Sequence, residues 1–169
     1  GVPPRSLTKA ILGQHRQLVS EIGKSAPNRV PFPPPSRLFV MEMKKLHLIA
    51  AARPNFMKIA PLYHALSSQS WCRTAIVHTG QHYDPNMSDA FFRDLRLPAP
   101  HHHLEVGSGT HAEQTGGVMI AYEKVALAEK PDWIIVVDDE NSTASCAMVG
   151  TKLLIPVVHL EAGLRSRDR

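Results

Sequence analysis

From residue 44 onward the chain alternates short apolar runs with longer stretches of helical spacing. Leu46–Ala51 is apolar throughout between Lys45 and Arg53 and predicts a buried strand. Met57–Ser67 has apolar residues at Met57, Ala60, Leu62, Ala65 and Leu66, a pattern that predicts a helix. Thr74–His78 predicts a second strand and Met87–Leu95 a short helix with Phe91, Phe92 and Leu95 turned to the core. Leu104–Val106 predicts a short third strand, and Thr110–Glu129 a long helix stopped by Lys130-Pro131. Trp133–Val137 predicts a fourth strand, Ser142–Leu153 a helix capped by Ser142 or Thr143, and Pro156–Leu160 a fifth strand. Wholly apolar strands separated by helices imply right-handed βαβ units, hence an α/β, Rossmann-like parallel sheet with helices on both faces.

The first 42 residues do not share this pattern. They hold seven of the fourteen prolines, six Lys/Arg and two Asp/Glu, and so carry the whole +4 net charge. Residues 43–169 hold thirteen of each sign and are neutral. The organisation expected is therefore a basic, Pro-rich, flexible extension over 1–42, with one modest helix over Leu7–Ile22, followed by a domain over 43–169 that starts at Met43-Lys44-Lys45. Positive charge confined to such a segment reads as a solvated tail, so no nucleic-acid partner is expected. No apolar run approaches the roughly 18 residues of a membrane helix, so no membrane partner is expected either. Cys72 and Cys146 match no metal spacing and read as reduced structural thiols of a cytoplasmic protein.

A parallel sheet lines up the carboxyl ends of its strands along one edge, where ligands of open α/β folds bind. Three such ends carry polar residues here. After the first strand, Arg53 and Lys58 flank the start of a helix, where free amides attract anions, and suggest a phosphate site. After the second, Gly80 permits a turn that presents Gln81 and His82. After the fourth come Asp138, Asp139 and Glu140, which read either as a cap or as an acid–base group, and Glu161 follows the fifth. The sequence holds no glycine-rich phosphate fingerprint, so neither a Walker loop nor a dinucleotide turn is expected. The run His101-His102-His103 points its side chains alternately and reads as a surface loop rather than a metal site.

These residues fall in stretches that resemble the N-terminal half of the non-hydrolysing UDP-N-acetylglucosamine 2-epimerases. The stretches are Ala52–Pro61, His78–Asp84, Gly107–Thr115, Asp139 with Asn141-Ser142-Thr143, and His159–Ser166, in one register over residues 44–169. The resemblance implies a two-domain glycosyltransferase-B architecture, of which this chain would supply the first domain, with the second lying beyond Arg169. It implies interconversion of UDP-N-acetylglucosamine and UDP-N-acetylmannosamine by elimination and re-addition of UDP, in cell-surface polysaccharide biosynthesis. It implies Asp139 and Glu161 as catalytic carboxylates, and Arg53, Lys58, Gln81, His82 and Arg165 as substrate-binding residues. It also implies a UDP-sugar as partner, a homodimer for the full-length protein, and neither organic cofactor nor metal. The pattern departs where the family usually has glycine: Ala51 in the first loop, and Asp138 before the catalytic aspartate. Glu140 adds a further charge. The 169-residue chain alone is expected to be inactive. Two rival readings are a glycosyltransferase-B acceptor domain and a degenerate domain that binds without catalysis.

Overall fold

Strand β1, Lys44–Ala50, is buried along its last five residues and occupies the centre of the sheet. The computed structural model describes residues 42–80 and 92–163. The secondary structure of the described residues lies in the unit Lys44–Arg169, one of two into which the chain divides. The elements that follow are helix α1 (Arg53–Ser67), β2 (Cys72–His78), β3 (His102–His103), α2 (His111–Glu129), β4 (Trp133–Val137), α3 (Asn141–Lys152) and β5 (Val157–Leu160). The five strands form one sheet in the order β3-β2-β1-β4-β5, and every pairing is parallel. The expected α/β fold is thus observed. The chain builds outward from β1 to β3, then returns to lay β4 and β5 on the other side of β1. The reversal leaves a topological switch point between β1 and β4, at whose carboxyl ends a crevice opens in folds of this kind.

Helices cover the sheet because its strands have no polar face to show to water. On one side Val118, Tyr122 and Ala126 of α2 and Cys146 and Val149 of α3 pack with Ile49, Val77, Ile134 and Val136. Gly150 lets α3 lie close to the sheet: a Cβ there would meet Val157 Cγ2 at 2.7 Å and Ile134 Cδ1 at 2.8 Å. Phe56, Ile59, Leu62 and Leu66 are the buried apolar residues of α1 beside Ala60.

Element ends differ from the sequence expectation where side chains intervene. Helix α1 begins at Arg53 rather than Met57, because Pro54 in its first turn already has a helical φ. The third strand is His102–His103, not Leu104–Val106. Leu104 and Val106 still donate to the carbonyls of His78 and Thr79, at 2.8 and 3.0 Å, but Glu105 between them has φ of +55° and breaks the strand. The histidine run is therefore a sheet edge rather than a loop, with Nδ1 of His78 2.9 Å from Nε2 of His103. Thr110 caps α2 reciprocally with Glu113. Neither Ser142 nor Thr143 caps α3, whose cap position is Glu140. Their hydroxyls turn inward, Ser142 to Thr79 and Thr143 to the carbonyl of Val137. The expected helices over 7–22 and over most of 87–95 lie outside the described residues; 92–94 are helical.

Two histidines are buried in this core. His47 is 1% exposed with Nδ1 3.1 Å from the Tyr122 hydroxyl, and His78 is 3% exposed, stacked on Phe56 and His103. Burial first, then neighbouring histidines and, for His47, Lys45, lower both from 6.5 to about 4. The unfolded chain thus binds protons near pH 6.5 that the folded chain refuses, and stability falls as pH drops from about 6.5 to 4, by on the order of 3 kcal/mol per histidine. The urea midpoint should decline steeply between pH 7 and pH 4.5; a constant midpoint contradicts this. Gly150→Ala should cost about 1–3 kcal/mol by overpacking, read as a lower urea midpoint at unchanged m-value.

Candidate functional site

The turn from β1 into α1 is built on Asn55. Ala52, at the helix cap position, has no side-chain acceptor to offer. Asn55, in the first turn, reaches back instead: its Oδ1 accepts the backbone N–H of both Ala51 and Ala52 at 2.9 Å. Its Nδ2 then points across the switch point and donates to Oδ2 of Asp138 at 2.7 Å. A residue 2% exposed thus joins the end of β1 to the end of β4.

Lys58 stands on the next turn of α1 and completes the connection. Its ammonium donates to Asp138 and to Glu161, the latter at 2.5 Å. The three side chains are only 15–27% exposed, so water screens the cluster incompletely. Burial alone would lower Lys58, but hydrogen bonds and charge from Asp138 and Glu161 outweigh it and raise its pKa above the usual lysine value. Burial would raise Asp138, but hydrogen bonds from Lys58 and Asn55 and the lysine's charge outweigh it and hold the carboxyl below the usual range. A lysine near a helix start is unfavourable against the dipole, and here two carboxylates of the chain itself offset that cost.

Both carboxylates sit on strained backbone. Asp138 has φ of +62° and Glu161 φ of +63°, in the left-handed region that ordinary residues avoid. Strand β5 holds them there. The Asp138 N–H donates to the Leu160 carbonyl at 3.3 Å, and His159 Nε2 donates to the Asp138 carbonyl at 2.6 Å. Non-glycine residues kept at positive φ are often functional, and here two of them share one cation.

Asp139 lies beside this cluster, exposed, with no hydrogen bond from another described side chain. Arg53 is exposed at the first position of α1. Of the residues singled out from sequence, the structure brings Lys58 and Glu161 together and places Arg53 and Asp139 at the same edge. Gln81, His82 and Arg165 lie outside the described residues. A polar group from the helix starts flanks the cluster: Asn141 Nδ2 is 3.0 Å from His111 Nδ1 and donates to Gln114 Oε1 at 3.0 Å. Among the described residues no group of three or more His, Cys, Asp or Glu is arranged to hold a metal ion. Sequence reasoning passed over Asn55; the signal was an amide one residue after Pro54, at the helix position that reaches back to the cap.

A family model described as UDP-N-acetylglucosamine 2-epimerase matches residues 64–169. The UDP-N-acetylglucosamine 2-epimerase of Methanocaldococcus jannaschii is 48% identical over 127 residues, which is 74% of this chain and 34% of that protein. The UDP-2,3-diacetamido-2,3-dideoxy-D-glucuronate 2-epimerase of Pseudomonas aeruginosa is 43% identical over 122 residues, 72% of this chain and 34% of that one. The crystal structure of the M. jannaschii enzyme in complex with UDP-GlcNAc and UDP superposes with a TM-score of 0.70, over 74% of this chain and 34% of that one. The Neisseria meningitidis UDP-GlcNAc 2-epimerase bound to UDP-GlcNAc superposes with a TM-score of 0.67 at 26% identity, over 75% of this chain and 33% of that one. The chain spans about a third of the length of the curated relatives it matches.

Removing the lysine tests the cluster. Lys58→Met leaves two half-buried carboxylates facing each other and should cost about 2 kcal/mol at pH 7. Asp138, depressed in the fold, contributes stability above the ordinary aspartate pKa of 3.8 that is lost as pH falls through its folded value. Lys58, raised in the fold, contributes stability below 10.5 that is lost as pH rises through its folded value. The wild-type-minus-variant difference in urea stability should therefore be largest near neutrality and shrink below pH 4 and above pH 10.5. A difference independent of pH contradicts the assignment.

Proposed function

Since the chain belongs to the UDP-N-acetylglucosamine 2-epimerase family, we propose that it forms one wall of a cleft in which a UDP-N-acetylhexosamine is epimerised at C2. The observation that carries the reading is the convergence of Lys58, Asp138 and Glu161 at the switch-point edge of the sheet, beside Asp139 and Arg53. Support comes also from relatives whose structures hold UDP-GlcNAc and UDP.

In this proposal a carboxylate of the pair Asp139 and Glu161 takes the C2 proton of UDP-N-acetylglucosamine. The C2–H electron pair forms a C1=C2 double bond as the C1–O bond breaks, and the C1–O pair leaves with UDP. UDP then adds back to C1, and a proton is delivered to C2 from the other face, giving UDP-N-acetylmannosamine. Atoms and electrons balance without any oxidant or reductant. The edge supplies what that sequence needs, carboxylates for proton transfer and the cations Arg53 and Lys58 for charge developing on the departing diphosphate. Gln81, His82 and Arg165 complete the proposed substrate contacts. The second wall is proposed to come from another domain, so turnover is expected only where both walls meet. The free, buried thiols of Cys72 and Cys146 support a cytoplasmic setting.

Joining residues 44–169 to the remaining two thirds of the M. jannaschii relative tests the reading. The fusion should convert UDP-N-acetylglucosamine to UDP-N-acetylmannosamine and, in deuterated water, place deuterium at C2 of the product. Glu161→Gln and Asp139→Asn should each lower kcat by at least about 100-fold with a smaller change in KM. A folded fusion that binds UDP yet gives neither epimer nor C2 exchange, or a Glu161→Gln form of undiminished kcat, overturns the proposal.

A further inference from the structure

Lys58 is not an uncommitted cation. Its ammonium is shared between two carboxylates, so the three side chains carry a net charge of −1 when ionised. Asp138 is the member held most firmly. It is 15% exposed in its side chain, accepts from Asn55 and Lys58, and has its backbone fixed by Leu160 and His159. Asp139, one residue on, is exposed, and Lys58 pairs with Asp138 and Glu161 instead. Of the two adjacent acids it is Asp138, at φ of +62°, that meets Asn55 and Lys58 in the first turns of α1. The carboxylate therefore fills, from within the chain, the position where a helix start and a lysine would otherwise receive an outside anion.

We propose that Asp138 is a specificity-determining residue, an internal counterion that competes with the diphosphate of a UDP-sugar for Lys58. The inference rests on the function proposed above and concerns the same site. An incoming diphosphate must either displace the Asp138 carboxylate from Lys58 or bind beside it, and in either case meets one negative charge more than the cations alone would present. Asp138 thereby sets how strongly the edge holds the anionic part of its ligand, and leaves the uridine part unaffected.

The test is a titration of the 169-residue chain with UDP and, separately, with uridine, followed by NMR at fixed ionic strength. Two variants remove the charge differently. Asp138→Gly suits a residue at φ +62° and preserves the fold. Asp138→Asn keeps the shape and tolerates the left-handed region. A unit charge within several ångströms of a diphosphate in a partly screened site corresponds to about tenfold in affinity. Both variants should bind UDP at least threefold more tightly than the wild type and uridine equally well, and the gain should vanish when Lys58→Met is added. UDP affinity within threefold of the wild type or weaker in both variants, or an equal gain for uridine, overturns the counterion role while leaving the UDP-sugar reading intact. Failure of UDP to bind the wild type or any variant at millimolar concentration overturns the UDP-sugar reading, and this inference with it.

Discussion

One ammonium group ties together the carboxyl-end edge of this sheet. Lys58 rises from α1 and meets carboxylates carried by the ends of β4 and β5. Those three elements are brought near one another only by the switch in strand order between β1 and β4. The ion cluster therefore depends on the topology. In return it helps hold two strand-end residues at positive φ, a conformation that costs on the order of 1 kcal/mol or more apiece. Asn55 contributes the remaining tie, spending its carbonyl on the turn after β1 and its amide on Asp138. Strain, burial and charge at one place are the usual signature of a site shaped for a ligand rather than for stability alone.

The sheet was legible in the sequence because its central strands β1 and β4 are buried along most of their length and read as apolar runs; Trp133–Val137 matches residue for residue. What the runs could not reveal were decisions made by single side chains or torsions. Glu105 in the left-handed region ends β3 early, although Leu104 and Val106 still hydrogen-bond to β2. Ser142 and Thr143 look like helix caps, but their hydroxyls find better partners inside the protein, at Thr79 and Val137. Pro54 starts α1 four residues before its apolar face becomes visible.

The site was half legible for the same reason. That polar residues after parallel strands face a common crevice follows from fold class alone, and it located Arg53, Lys58, Asp139 and Glu161 at one edge. That Asp138 rather than Asp139 meets Lys58 goes with a left-handed backbone at Asp138, which no pattern of residue types encodes. Asn55 was hidden similarly, since an amide near a helix start reads as ordinary capping until its other end is seen to touch a second strand. Family membership is established over residues 64–169; the geometry shows how this chain distributes charge along the edge.

We propose that the edge gathered around Lys58 is one wall of a sugar-nucleotide site. The most direct measurement is a backbone-amide NMR map of the chain as UDP-N-acetylglucosamine is added to millimolar concentration. Shifts should concentrate in 51–58, 138–142 and 159–163, the three segments that meet at the switch point. Shifts confined to the outer faces of α2 and α3 or to the amino ends of the strands, with the Lys58 segment unmoved, would contradict it.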